Sequence, residues 1–322
     1  MVLVCATFPL IWVGGLVTTT QAGMAVPDWP TTYGYNLLLY PWQTWLFGPW
    51  DLFIEHGHRL LGALVGMITI ALMICLFWKD RRRWMHVLGV VALVGVIGQG
   101  TLGGMRVLLD ARTLAKLHAC LGPAFFALAI TIAVCTSPLW RRGPQRSLAQ
   151  PDVGKLQQLA IITTLLAYIQ LVLGAQLRHM CVFAEPGEFR AAVYFHLLMA
   201  LVLLVHVVLL AVRTLRHHRD QAPLVRPAVG LLMLMGLQFA LGAGTWVVKY
   251  AWPAWAAGYR WNAAYTVSAE SFAQSMIITG HVATGSLIVG VSLMLALRSL
   301  RLYQNQLPTL SAASGRMTGV LA

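Results

Sequence analysis

The sequence is short of charge. Of its 322 residues, 10% are Asp, Glu, Lys or Arg and 58% are hydrophobic, and the mean hydropathy is +0.71. A water-soluble domain carries about 25% charged residues, so a soluble globular protein is excluded. Acids are scarcer still, 10 against 23 Lys and Arg, which leaves a net charge of +13. The basic residues fall in short runs between apolar segments, the pattern that sets membrane topology. Nucleic acid is therefore not an expected partner. Cysteines are few and scattered (Cys5, Cys75, Cys120, Cys135 and Cys181), with no C-x-x-C, which argues against a zinc site or a disulfide framework. The first apolar segment lacks a basic leader and reads as a retained span rather than a cleaved signal.

Long apolar runs are plentiful. A helix needs about 20 such residues to cross a bilayer, and eight runs qualify, starting near Val2, Leu52, Trp84, Leu114, Leu156, Ala191, Ala228 and Phe272. Their length and continuity fit helices, not barrel strands. The expected fold is an all-α polytopic membrane protein with eight transmembrane helices. Basic clusters follow the even spans: Lys79 to Arg83, Arg141 to Lys155, Arg213 to Arg226, and Arg298 to Arg316. The opposite side holds Asp28, Asp51, Glu55, Asp110, Glu185, Glu188 and Glu270. The positive-inside rule then puts both termini in the cytoplasm of a multi-pass inner-membrane protein.

A repeat runs through the spans. "QGTLGG" (Gln99–Gly104), "QLVLGA" (Gln170–Ala175) and "QFALGA" (Gln238–Ala243) sit near the outer ends of spans three, five and seven. Span one has "LIWVGG" (Leu10–Gly15), with leucine for glutamine. Each is followed by an outer loop and a span that opens with a histidine: His58 in "HRLLG", His118 in "HACLG", His196 in "HLLMA" and His281 in "HVATG". The unit is a helical hairpin used four times. The basic loop around Pro144 and Pro151 divides the chain into residues 1–145 and 146–322, two pseudo-symmetric four-helix bundles in parallel orientation.

A lone histidine at a span end is most often an interfacial or core residue. Four in register, each with glycine or alanine one turn on, point to a metal and a flat ligand, because imidazole is a common axial ligand of haem iron. Two sites result: His58 with His118, and His196 with His281. In "IEHGHRLLG", at about 100° per residue, Glu55, His58 and Arg59 share a face, while His56 points about 200° away from His58. His58 is thus the ligand candidate. Glu55 has no counterpart in the other hairpins. A single Glu-x-x-His does not make a di-iron bundle, and an acid beside a metal suits proton transfer. The asymmetry suggests a reacting site in the first half and an electron carrier in the second. His86, His217 and His218 read as solvated and His206 as core packing. The tryptophans Trp29, Trp42, Trp45 and Trp50 read as an interfacial belt.

At these residues the chain resembles the haem A synthase family. The resemblance rests on "GGLVTTTQAGMAVPDWPTTYG" (Gly14–Gly34), on E-x-x-H-R in span two and on the four histidines. It implies O2-dependent hydroxylations that oxidise the C8 methyl of haem O to a formyl group, for cytochrome c oxidase biogenesis. It implies haem O at His58 and His118, haem b at His196 and His281, and Glu55 as the essential glutamate. It makes the bilayer, haem O synthase and a second copy of the chain candidate partners, and leaves the electron donor open between a quinol and a redox protein. Arg59, Arg106, Arg178 and Lys249, at outer helix ends, are candidates to pair with haem propionates or plain interfacial anchors. Some bacterial members carry a cysteine pair in the first outer loop; "PDWPTTYG" has none, so thiol chemistry there does not carry over. The alternative is a di-haem membrane cytochrome b confined to electron transfer, which has no need of Glu55.

Overall fold

The computed structural model describes residues 1–143, 152–180, 183–250, 252 and 271–303. The proposed divide between the halves, Cys181, Glu270 and Arg316 lie outside the described residues. Eight long helices carry the fold: α1 (Val2–Thr19), α2 (Trp50–Lys79), α3 (Arg83–Leu108), α4 (Arg112–Cys135), α5 (Val153–Arg178), α6 (Pro186–His217), α7 (Ala222–Tyr250) and α8 (Phe272–Leu302). All eight are long and apolar enough to cross a membrane. Among the described residues there is no strand, only an isolated bridge from Thr32 to Tyr35.

The all-α expectation holds, and most starts match closely. The exceptions are α6 and α7, which begin at Pro186 and Ala222 rather than at Ala191 and Ala228. Both extra stretches contain proline and charge: Pro186, Glu188 and Arg190 in the first, and Pro223, Arg226 and Pro227 in the second. Proline is well suited to a first helical turn, and charge ends an apolar run before it ends a helix.

Several buried hydroxyls inside the spans are satisfied by their own helix, as lipid favours. Thr7, Thr69, Thr163 and Thr214 each donate to the carbonyl four residues back, at 2.7 Å. Large apolar side chains such as Val94, Leu165 and Met233 face outward. Within each half every helix packs on the next, and the fourth returns to the first: α1 to α4, and α5 to α8. The halves meet where α8 packs on α1 and α4. The α8 surface suits that central place, with Ser275, Thr279, Ser286, Ser292 and Ser299 buried. Small residues let helices approach closely when no water drives them together. Gly15 of α1 meets Thr279: a Cβ there would stand 2.8 Å from its methyl carbon. Above this contact, Thr19 and Thr279 pair through their hydroxyls at 3.2 Å.

Candidate functional site

The four histidines lie in two close pairs. The rings of His58 and His118 lie 6.3 Å apart, centre to centre, at 87°. The rings of His196 and His281 lie 6.3 Å apart at 70°.

Each ring is seated by the preceding helix of its own hairpin, at the same place in the repeat. A Cβ on Gly14 would stand 2.8 Å from His58 Cε1. The equivalents are Gly103 to His118 at 3.1 Å, Gly174 to His196 at 3.3 Å and Gly242 to His281 at 3.0 Å. This glycine is the fifth residue of each six-residue motif, and sequence reading did not give it a job. It leaves room for an imidazole to lie against backbone. The glutamine one turn earlier also reaches the ring. His118 Nδ1 bonds the Gln99 carbonyl at 3.1 Å, and Gln99 Nε2 donates to the His118 carbonyl at 3.4 Å. Gln170 Nε2 lies 3.2 Å from both nitrogens of His196. His58 and His281 face the backbone of Leu10 and Gln238, the first residues of their motifs, as His118 faces Gln99, while Gln170 Oε1 and Gln238 Oε1 are buried with no hydrogen-bond partner among the described residues. A Cβ on Gly62 or Gly122, one turn after His58 and His118, would meet no atom within 4 Å.

Beside the first pair, Glu55 is 2% exposed. Its Oε1 accepts from Arg59 at 2.9 Å and its Oε2 from the Val26 backbone N–H at 2.9 Å. Arg59 spends its remaining terminal N–H groups on the same outer loop, bonding the carbonyls of Asp28 at 2.7 Å, Thr31 at 2.9 Å and Val26 at 2.8 Å. The pair is therefore not an exposed helix-surface salt bridge. It pins "VPDWPT" over the start of α2. His56 backs this up from the other side of the helix: it is buried, its Nδ1 pairs with Thr32 Oγ1 at 3.1 Å, and its ring packs on Tyr40 and Trp45. Within the loop, Asp28 accepts from Thr31 Oγ1 and from the backbone N–H groups of Tyr33 and Gly34. Burial raises the Asp28 carboxyl pKa, but these three bonds outweigh it and hold the group below its ordinary value.

The other basic candidates differ. Arg106 lies against Gly23, whose Cβ would stand 2.7 Å from its Nη1, and makes no hydrogen bond or ion pair among the described residues. Arg178 donates to the Gly15 carbonyl at 2.8 Å and to Thr19 Oγ1 at 2.6 Å, tying α5 to α1. Lys249 is exposed, beside the Tyr250 ring.

Two readings need correction. The tryptophans are not a uniform belt. Trp42 and Trp50 are exposed, but Trp45 stacks on Phe53 and donates to the Phe53 carbonyl at 2.9 Å. Trp29 lies on the backbone of α3, where a Cβ on Gly104 would stand 2.1 Å from its ring. Nor is His218 solvated. It is 1% exposed and pairs with the Tyr303 hydroxyl at 2.8 Å, so charged neighbours in sequence misled. His86, beside Phe77, is half-buried rather than solvated, with Nε2 2.6 Å from the Asp80 carbonyl. His206 bonds the Val202 carbonyl at 2.9 Å, one turn back.

Residues 49–259 match COX15-CtaA, the cytochrome oxidase assembly protein family. The chain belongs to that family. The match takes in α2 to α7, and so three of the four histidines. A protein named "Heme A synthase" from Alkalihalophilus pseudofirmus is 26% identical over 71% of this chain and 80% of its own length. Proteins of the same name from Methylobacterium radiotolerans and Shouchella clausii are 25% and 28% identical, over 51% and 52% of this chain. The matched stretch spans about half the length of those last two relatives, 51% and 53%. No solved structure matches.

Proposed function

We propose that this chain is a haem A synthase: an inner-membrane oxidoreductase that converts the C8 methyl of haem O to a formyl group by successive O2-dependent hydroxylations. Haem O is the substrate, held between His58 and His118, and haem b is the resident cofactor, held between His196 and His281. The observation that carries the reading is the pairing itself. Each pair brings two imidazole rings to 6.3 Å, centre to centre, from two helices of one half, where both would hold one haem iron between them. Each site offers two imidazoles, and no cluster of three or more metal-binding side chains occurs among the described residues. That donor set suits an iron whose other ligands come from a macrocycle. The relatives' printed name supports the same chemistry. The two halves then act as internal repeats, with both sites toward the outer side and both termini in the cytoplasm.

Haem iron supplies the oxygen and one-electron chemistry that no side chain has. The chain supplies position and protons. The repeat glycines let each imidazole seat against backbone, and the Gln99 carbonyl fixes the orientation of His118. Such outer partners typically weigh about 10- to 100-fold in affinity or activity. Glu55 is the proton-transfer group of the first site, and Arg59 holds its carboxylate in place while closing the loop. With Arg59 so engaged, Arg106 and Lys249 are the stronger candidates for propionate contacts. Arg178 keeps N–H groups beyond its two bonds to α1 and joins them.

The test is to express the protein with haem O and analyse the extracted haems. Haem A in the wild type, lost in Glu55→Gln while haem b stays, is the expected result. Unmodified haem alone from active wild type would favour the di-haem electron-transfer cytochrome and sink the enzyme reading.

A further inference from the structure

At the opposite end of the helices from the histidines, the fold builds a second charged cluster that the proposed chemistry does not use. The α2–α3 turn, the short helix Pro138–Arg141 and the end of α8 border an open surface pocket of about 250 Å³. That is smaller than the roughly 300–1,000 Å³ of sites for drug-sized ligands, but ample for a small anion with a few waters. Lys79, Arg81, Arg82, Arg141 and Arg301 line it, with Asp80 as the one carboxylate.

Two of the cations are fixed. Arg82 bonds Asp80 through Nε at 2.8 Å and Nη2 at 2.6 Å, reaches the Cys135 carbonyl at 3.1 Å and lies over the Trp84 ring. Arg301 lies over the Trp140 ring and donates from Nε to the Trp140 carbonyl at 2.8 Å. The two tryptophans pack at 6.3 Å. The hydrogen bonds from Arg82 are the main reason the Asp80 carboxyl is pulled down to about 2, so Asp80 stays ionised and cancels a single cation. Lys79, Arg81 and Arg141 are exposed, and their side chains make no hydrogen bond or ion pair among the described residues. With Asp80 taken up by Arg82, Lys79, Arg81 and Arg141 bring three cationic side chains to this pocket, framed by indole rings of the kind that sit at the headgroup level of a bilayer. Basic pockets between span ends bind anionic headgroups on this principle.

We propose that this pocket is a binding site for the phosphate headgroup of an anionic phospholipid, seated between the α2–α3 turn and α8. Arg82 and Arg301 form its rigid floor, and Lys79, Arg81 and Arg141 close on the phosphate from the rim. A lipid bound here bridges the first half to the last helix of the second, at the end of the molecule remote from Thr19 and Thr279. The site stands apart from the haem reading, since none of its residues touches a histidine pair.

The test uses full-length protein in detergent, titrated by native mass spectrometry with short-chain phosphatidylglycerol, short-chain phosphatidylcholine and inorganic phosphate. The triple variant Lys79→Ala/Arg81→Ala/Arg141→Ala removes the rim and leaves the fixed pair. The control Arg216→Ala/Arg219→Ala/Arg226→Ala removes equal charge from exposed positions on α6, the α6–α7 turn and α7. Near a membrane surface each Lys or Arg contributes enough for the rim variant to lose about a hundredfold in phosphatidylglycerol affinity. The control should lose less than threefold, and phosphatidylcholine should bind weakly throughout. Equal loss in both variants would reduce the effect to overall charge and overturn the site. Equal binding of the two lipids would also overturn it. Inorganic phosphate binding as tightly as the lipid would overturn the lipid assignment in favour of a free anion.

Discussion

The two histidine pairs share a ring separation of 6.3 Å and the same glycine seat, yet they differ in what lies beside them. The first pair sits under a loop that is bonded from both sides of α2, by Glu55 and Arg59 on one and His56 on the other. Beside the second pair the sequence has no carboxylate between Phe189 and Arg219, nor between Gln221 and Ala269. On the proposed reading, a pair of imidazoles with no carboxylate beside it suits electron transfer. A ligand set with a held carboxylate and a tied-down loop is equipped to move protons and exclude water. The repeat supplies what the halves share; the departure from it supplies the proposed chemistry.

The strongest way to break this comparison is to remove ligands one half at a time. His281→Ala or His196→Ala should abolish retention of haem b through purification, measured as pyridine haemochrome per protein. His58→Ala should abolish haem A formation and leave haem b content near wild type. Equal loss of haem b from both kinds of variant would mean that the halves do not hold separate groups. Next in size is Glu55→Gln, which keeps most of the side chain's shape and hydrogen-bonding reach. General acid–base groups contribute about 10²–10⁴-fold, so haem A yield should fall at least a hundredfold with haem b unchanged. Glu55→Ala is a poorer probe, because it also removes the acceptors of Arg59 and of the Val26 N–H and so loosens the loop. A Gln variant with wild-type yield would reduce Glu55 to a loop anchor.

These expectations rest on features of unequal visibility in the sequence. The spans were legible because lipid demands long apolar runs, and the histidines because the hairpin repeats. The loop over α2 was not. Val26 contributes a backbone N–H, and Asp28, Thr31 and Val26 contribute carbonyls to Arg59; main-chain donors and acceptors carry no residue signature. Trp29 on Gly104 joins residues 75 positions apart, which no local pattern encodes. His218 misled for a related reason. Its neighbours Arg216, His217 and Arg219 are exposed, while its partner Tyr303 lies 85 residues away. The repeat glycines fall between these cases. Their spacing was visible, but their contact with the rings needed the structure.

Those glycines offer a graded test of how alike the halves are. Alanine at each must push the ring aside, and overpacking costs about 1–3 kcal/mol. Gly14→Ala, at 2.8 Å from His58, should perturb most and Gly174→Ala, at 3.3 Å from His196, least. Haem A yield reads the first-half variants, and the low-spin electron paramagnetic resonance signal of haem b reads the second. A signal moved as far by Gly174→Ala as by Gly242→Ala would show that these distances do not control the rings.

The smallest effects belong to the loop. Thr32→Val removes the partner of His56 and should cost about 1 kcal/mol of local stability, read as faster proteolysis between Pro27 and Tyr40 with haem b retention unaffected. Asp28 adds a pH dependence of defined sign. Its carboxyl is depressed below 3.8 in the folded loop, since the bonds from Gly34, Thr31 and Tyr33 outweigh a burial effect that acts to raise it. A depressed acid stabilises the fold in full above its unfolded pKa and loses that contribution as pH falls through the folded one. The loop should therefore keep its protection from neutral pH down to about 4 and loosen below that. The group is half-buried and still reached by solvent, so screening keeps the effect small. Asp28→Asn should start looser at pH 7 and show no further loosening on acidification. An unaltered acid profile in that variant would remove Asp28 from the closure of the first site and move the pH sensitivity elsewhere in the loop.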